Sequence, residues 1–79
     1  MRTINVTLAY DDDARVWWVK DCDVQGVRLE GQTLDSLVAR IPDALLDIWE
    51  ASNDLAALKE PFELVTHATT YMNSRPIAA

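Results

Sequence analysis

The stretch Thr3-Ile4-Asn5-Val6-Thr7-Leu8-Ala9-Tyr10-Asp11-Asp12-Asp13-Ala14-Arg15-Val16-Trp17-Trp18-Val19 decides the fold of this chain. Ile4, Val6, Leu8 and Tyr10 fall on one side of a two-residue period, and Thr3, Asn5, Thr7 and Ala9 on the other. Period two with β-branched residues predicts a half-buried strand over 3–10. The aspartate run breaks the pattern, because short carboxylates hydrogen-bond the local backbone in turns. The apolar pattern then resumes at Val16, which predicts a hairpin with a second strand over 15–20.

Working outward, Asp23-Val24-Gln25-Gly26 reads as a second turn and Val27-Arg28-Leu29-Glu30 as a short third strand. Gly31-Gln32-Thr33 opens a helix. Thr33 is a good N-cap, Asp35 stands where the helix dipole favours negative charge, and Leu34, Leu37, Val38, Ile41, Leu45, Ile48 and Trp49 recur at helical spacing. Pro42 removes one backbone donor, so the helix over 33–52 is expected to kink near Ala39 or to split. Leu55 and Leu58 are expected to cap the core from the connection. Pro61 stops further helix, and the β-branched and aromatic residues over 62–71 predict a fourth strand. The expected fold class is α+β, in the order β-β-β-α-β, with an antiparallel-rich sheet and one kinked helix packed on one face. Residues 1–71 are expected to form one domain, and 72–79 a flexible tail.

At 79 residues the chain is one domain with a thin core, and domains of this size often gain stability by oligomerising. Its 49% hydrophobic and 25% charged residues are a globular composition, not a disordered one. The formal net charge of −6 argues against binding nucleic acid or an anionic membrane. No stretch reaches the ~18 apolar residues needed to cross a bilayer, and Met1 to Asn5 do not resemble a secretory signal. A cytoplasmic protein is the expectation. Cys22 is the only cysteine, so no intramolecular disulfide can form, and it reads as a small structural hydrophobe.

Catalytic chemistry is not legible here. The lone His67 has no Ser, Cys or carboxylate pair at recognisable spacing. Gly26 and Gly31 are the only glycines, each at a turn, so no phosphate-binding loop exists. Asp11-Asp12-Asp13 could hold a cation, but no further acids at ligand spacing accompany them. No catalytic residue, metal site or cofactor is expected.

Two surfaces remain as candidates. Residues 33–60 carry Asp35, Asp43, Asp47, Glu50, Asp54 and Glu60 against Arg40 and Lys59. Such a run is a solvated helix face or a docking surface for a basic partner, with Asp43, Asp47 and Glu50 as the candidate contacts. Trp17 and Trp18 are adjacent in a strand and must point to opposite faces of the sheet. One helix covers one face, so one indole should lie on the uncovered side, and His67, Thr69 and Tyr71 are expected to share a face of the last strand. Trp17, Trp18, His67 and Tyr71 are therefore the candidates for self-association into a dimer or higher oligomer.

The residues Trp17-Trp18-Val19, Asp23-Val24-Gln25-Gly26 and Gly31-Gln32-Thr33-Leu34 resemble the signature of the HicB-like antitoxin family. That signature is an aromatic strand, an Asp-aliphatic-Pro-Gly turn, a short strand, then Gly-Asp/Glu-Thr opening a helix. The resemblance covers roughly residues 3–71. It implies a truncated ribonuclease H-like fold without that enzyme's acidic set, since Ile4, Val6 and Leu8 fill the apolar face of the first strand. Gln25 stands where the family has proline, and Pro42 lies within the helix. The DNA-binding segment that often follows the last strand in the family has no counterpart in these residues. The resemblance also implies a partner, a small basic HicA-like toxin that cleaves mRNA. The competing expectation is a homo-oligomeric domain that binds a small ligand or an unrelated protein.

Overall fold

The computed structural model describes residues 1–69. Four of the expected elements stand close to where the residues place them: β1 (Arg2–Asp11), β2 (Val16–Cys22), α1 (Leu34–Ala51) and the last strand, β4 (Phe62–Thr69). The remaining elements are β3 (Glu30–Gly31) and α2 (Leu55–Lys59). Together they form an α+β fold in which α1 packs on one face of a four-stranded mixed sheet ordered β3-β2-β1-β4. β1 is central, antiparallel to β2 and parallel to β4. Tyr71 and the expected tail 72–79 lie outside the described residues.

The β1–β2 hairpin closes through residues 12–15. The Asp11 carboxylate accepts from the amides of Asp13 and Ala14 at 2.9 and 3.2 Å, and Arg15 takes the left-handed conformation at φ 57°. The aspartates thus act on the local backbone. The register shifts between Thr7 and Leu8, which pair with Asp21 and Val19. Lys20 is the extra residue, so β2 carries a bulge there. The bulge lets Trp17, Val19 and Cys22 all pack on the helix side, although strict alternation would put Asp21 there in place of Cys22.

The third strand is shorter than the sequence pattern over 27–30 suggests. Val27 is buried in the core and Leu29 packs against it, so this segment runs over the core's rim and meets β2 only at Glu30–Gly31. The Val19 amide donates to the Leu29 carbonyl at 3.2 Å just ahead of that pairing. Gly31 lies against the first turn of the helix, near Ser36 and Leu37.

Thr33 caps α1 as its residue type suggests: its hydroxyl accepts from the Ser36 amide at 3.1 Å. α1 runs unbroken through Pro42 for 18 residues, so the proline does not split it. Packing carries the helix past the missing donor, because Leu37, Ile41, Leu45 and Trp49 bury one stripe against β1. Val6, Leu8, Leu37, Ile41 and Leu45 are fully buried. Each such side chain contributes about 1.5–3 kcal/mol relative to exposure. The connection expected after Ser52 contains a second helix, α2, capped by the Asp54 carboxylate on the Ala57 amide at 3.0 Å. Leu58 packs on the core, whereas Leu55 is exposed.

The end of the sheet near Arg2 is closed by a cluster. Trp49 meets Phe62 edge-to-face with centroids 5.4 Å apart, and the Arg2 guanidinium lies 4.5 Å over the Trp49 ring. The same guanidinium donates to the carbonyls of Ala57 and Glu60 at 3.0 and 3.2 Å. One arginine thereby ties β1, α1 and α2 together. No described helix is long and apolar enough to cross a membrane.

Candidate functional site

Helical geometry puts Asp43, Asp47 and Glu50 at i, i+4 and i+7, on a single exposed stripe of α1. This stripe lies opposite Leu37, Ile41, Leu45 and Trp49, which face the sheet. Arg40 precedes the acids, but its guanidinium turns to the Glu30 carbonyl at 2.8 Å and holds the helix against β3. The structure therefore brings the three candidate acids together. Sequence reasoning missed Arg40's engagement with β3, and no local pattern signals a contact with a backbone carbonyl.

Among the described residues, no helix packs on the opposite face of the sheet. Register fixes its rows: Glu30, Trp18, Ala9 and Thr69 in one, and Asp21, Thr7 and His67 in the next. Asn5 and Val65, then Thr3 and Glu63, follow. Trp18 is 39% exposed on this face. Trp17 points the other way, into contact with the core, with its ring 5.4 Å from that of Tyr10. Of the self-association candidates, Trp18 and His67 share the open face, Trp17 belongs to the helix side, and Tyr71 lies outside the described residues. Glu63 and Val65 were missed as members of this face, although counting in twos from His67 finds both.

A cleft of about 920 Å³ separates β2 from residues 24–30, with Trp18, Val19, Cys22, Val27, Arg28 and Glu30 among its walls. It exists because β3 is so short. Cys22 sits there half-buried, and burial pushes its thiol pKa up. The nearby Asp23 and Asp21 add to that, and a hydrogen bond from the Val24 backbone opposes it. A protonated thiol is a poor nucleophile. Asp23 is occupied structurally: its carboxylate accepts from the Asn5 amide at 2.8 Å and the Asn5 side chain at 3.1 Å. Among the described residues no group of His, Cys, Asp and Glu is arranged to hold a metal ion. What these surfaces offer is contact area, hydrogen-bonding rows and negative charge.

A family model described as a domain of unknown function (DUF1902) matches residues 3–74, nearly the whole chain. No curated protein and no solved structure matches it.

Proposed function

We propose that this chain, which belongs to the DUF1902 family, is a non-catalytic protein-binding module of the HicB-like kind that neutralises a small basic HicA-like toxin. The observation that carries the reading is the acidic stripe of α1. Asp43, Asp47 and Glu50 are exposed together, and the nearby Arg40 guanidinium is engaged with the Glu30 carbonyl. The residues that resemble the antitoxin signature also occupy positions that need them. Gly26 turns the chain at φ +98°, Gly31 lies against the first turn of α1, and Thr33 caps that helix.

A stripe of three carboxylates steers a basic partner and speeds encounter more than it adds final affinity. Steering of this kind weakens as salt rises, since the Debye length falls from about 10 Å at 0.1 M to about 3 Å at 1 M. The test is co-expression with the open reading frame next to the gene. The expected result is a small basic neighbour that arrests growth alone, co-purifies with this protein and is silenced by it. Asp43→Lys, Asp47→Lys and Glu50→Lys combined should lower the association rate about tenfold or more at low salt and leave the helical circular dichroism unchanged. A neighbour that is neither toxic nor bound overturns the reading.

A further inference from the structure

β4 is the outermost strand on its side of the sheet, and among the described residues no strand pairs with its outer edge. The strand is eight residues long and carries neither proline nor lysine, the residues that commonly protect such an edge. The direction of its backbone groups follows from β1. The Asn5 amide donates to the Asp23 carboxylate and the Asn5 carbonyl accepts from the Asp23 amide, both on the β2 side. Alternate residues of a strand turn these groups to opposite sides, so Ile4, Val6 and Leu8 present theirs to β4. With Asn5 in register with Val65, the parallel ladder then engages the backbone of Glu63, Val65, His67 and Thr69. Phe62, Leu64, Thr66 and Ala68 are left with amide and carbonyl groups pointing outward.

We propose that a second copy of this chain pairs with this edge, antiparallel, about a two-fold axis through Val65. The occupant and the register follow from which side chains would meet across the edge. An antiparallel partner must set outward-bonding residues opposite each other, which restricts the register to steps of two. With the axis at Val65, Leu64 bonds to Thr66 of the other copy and Phe62 to Ala68. Glu63 then stands opposite the other copy's His67, twice over, in the closely spaced positions where side chains meet. Both residues are exposed and on the open face. A step of two either way sets Glu63 against Val65 or Thr69, and a step of four sets Glu63 against Glu63 or His67 against His67. Only one permitted register joins carboxylate to imidazole. The axis is perpendicular to the sheet, so the pairing makes an eight-stranded sheet with both α1 helices on one side and both acidic stripes free. The proposal therefore stands independently of the toxin-binding reading.

The experiment is sedimentation of the purified full chain over concentrations from about 1 to 500 µM, with circular dichroism as the check on folding. A reversible dimer is expected. His67→Glu should raise the dissociation constant about tenfold, because it sets carboxylate against carboxylate twice, and Glu63→Lys should raise it severalfold, because it removes both carboxylates that meet the imidazoles. Combining the two should return it to within about threefold of the parent, since every opposed pair is again lysine against glutamate. Thr66→Pro deletes an outward amide without touching the ladder to β1, and should give a folded monomer. A parent that stays monomeric throughout, a dimer unmoved by Thr66→Pro, or a double variant no tighter than the singles overturns the proposal.

Discussion

Gly31 and Gly26 both need to be glycine, for different reasons. A Cβ on Gly31 would lie 3.0 Å from the Ser36 Oγ and 3.3 Å from both the Cβ and the backbone nitrogen of Leu37. A Cβ on Gly26 would have room, with Ile48 Cδ1 at 3.6 Å, but the φ of +98° is one that other residues resist. Gly31→Ala should therefore cost about 1–3 kcal/mol through overpacking. Gly26→Ala should cost about 1–2 kcal/mol through backbone strain. Urea unfolding separates the causes: adding Ser36→Ala should recover part of the loss at Gly31 and none at Gly26. The Cys22 thiol gives a second test at this scale. Its raised pKa leaves less thiolate at neutral pH, so its reaction with a disulfide reagent should be slower in the folded protein than in urea. The folded protein's rate should also keep rising to higher pH than that of the unfolded chain. Residue chemistry was readable from the sequence where it is local, as at the Thr33 cap and the Asp11 turn. The identity of the outward indole was not. Alternation says that Trp17 and Trp18 part company, but only the pairing of Trp17 with Tyr10 and of Trp18 with Ala9 says which goes inside.

Among the elements, α1 was the most legible, because seven apolar residues at helical spacing with a cap leave little choice. Pro42 was harder to weigh. It leaves the Val38 carbonyl without its usual donor, a local penalty, and the buried stripe on both sides outweighs it. Pro42→Ala should accordingly raise stability by about 1–3 kcal/mol, seen as a higher midpoint in thermal melts. Thr33→Ala should lower stability by about 1 kcal/mol, through loss of the acceptor for the Ser36 amide. α2 went unrecognised as a helix because five residues are too few to show a period. The short β3 was overestimated for the opposite reason: Val27 and Leu29 look like strand residues yet use their side chains to reach the core's rim. The parallel direction of β4 has no local signature at all. The acidic stripe was legible as a charge run, and helical spacing turned it into a surface. The composition of the open face needed the register of three strands.

For the whole molecule, the closing cluster at Arg2, Trp49 and Phe62 is the most exposed to a single change. Trp49 is 6% exposed and joins the helix to both β1 and β4 through ring and guanidinium contacts. Trp49→Ala should cost about 3–5 kcal/mol. A domain of this size has about 4–12 kcal/mol in total, so the variant should unfold at far lower urea, whereas Trp18→Ser should move the midpoint little. The parallel pairing of β1 with β4 has a further consequence, in time. Arg2 meets Phe62 and Ala9 meets Thr69, about sixty positions apart along the chain, so the central strand has one near partner and one distant one. Contacts of such long sequence separation slow folding, because a large loop must close before they form. During synthesis the ribosome delivers β1 first and β4 last of the described strands. The middle of the sheet therefore waits, half paired, until nearly all of this domain has emerged. A pause in translation before residue 62 would prolong the period in which β1's unpaired side is open to other chains.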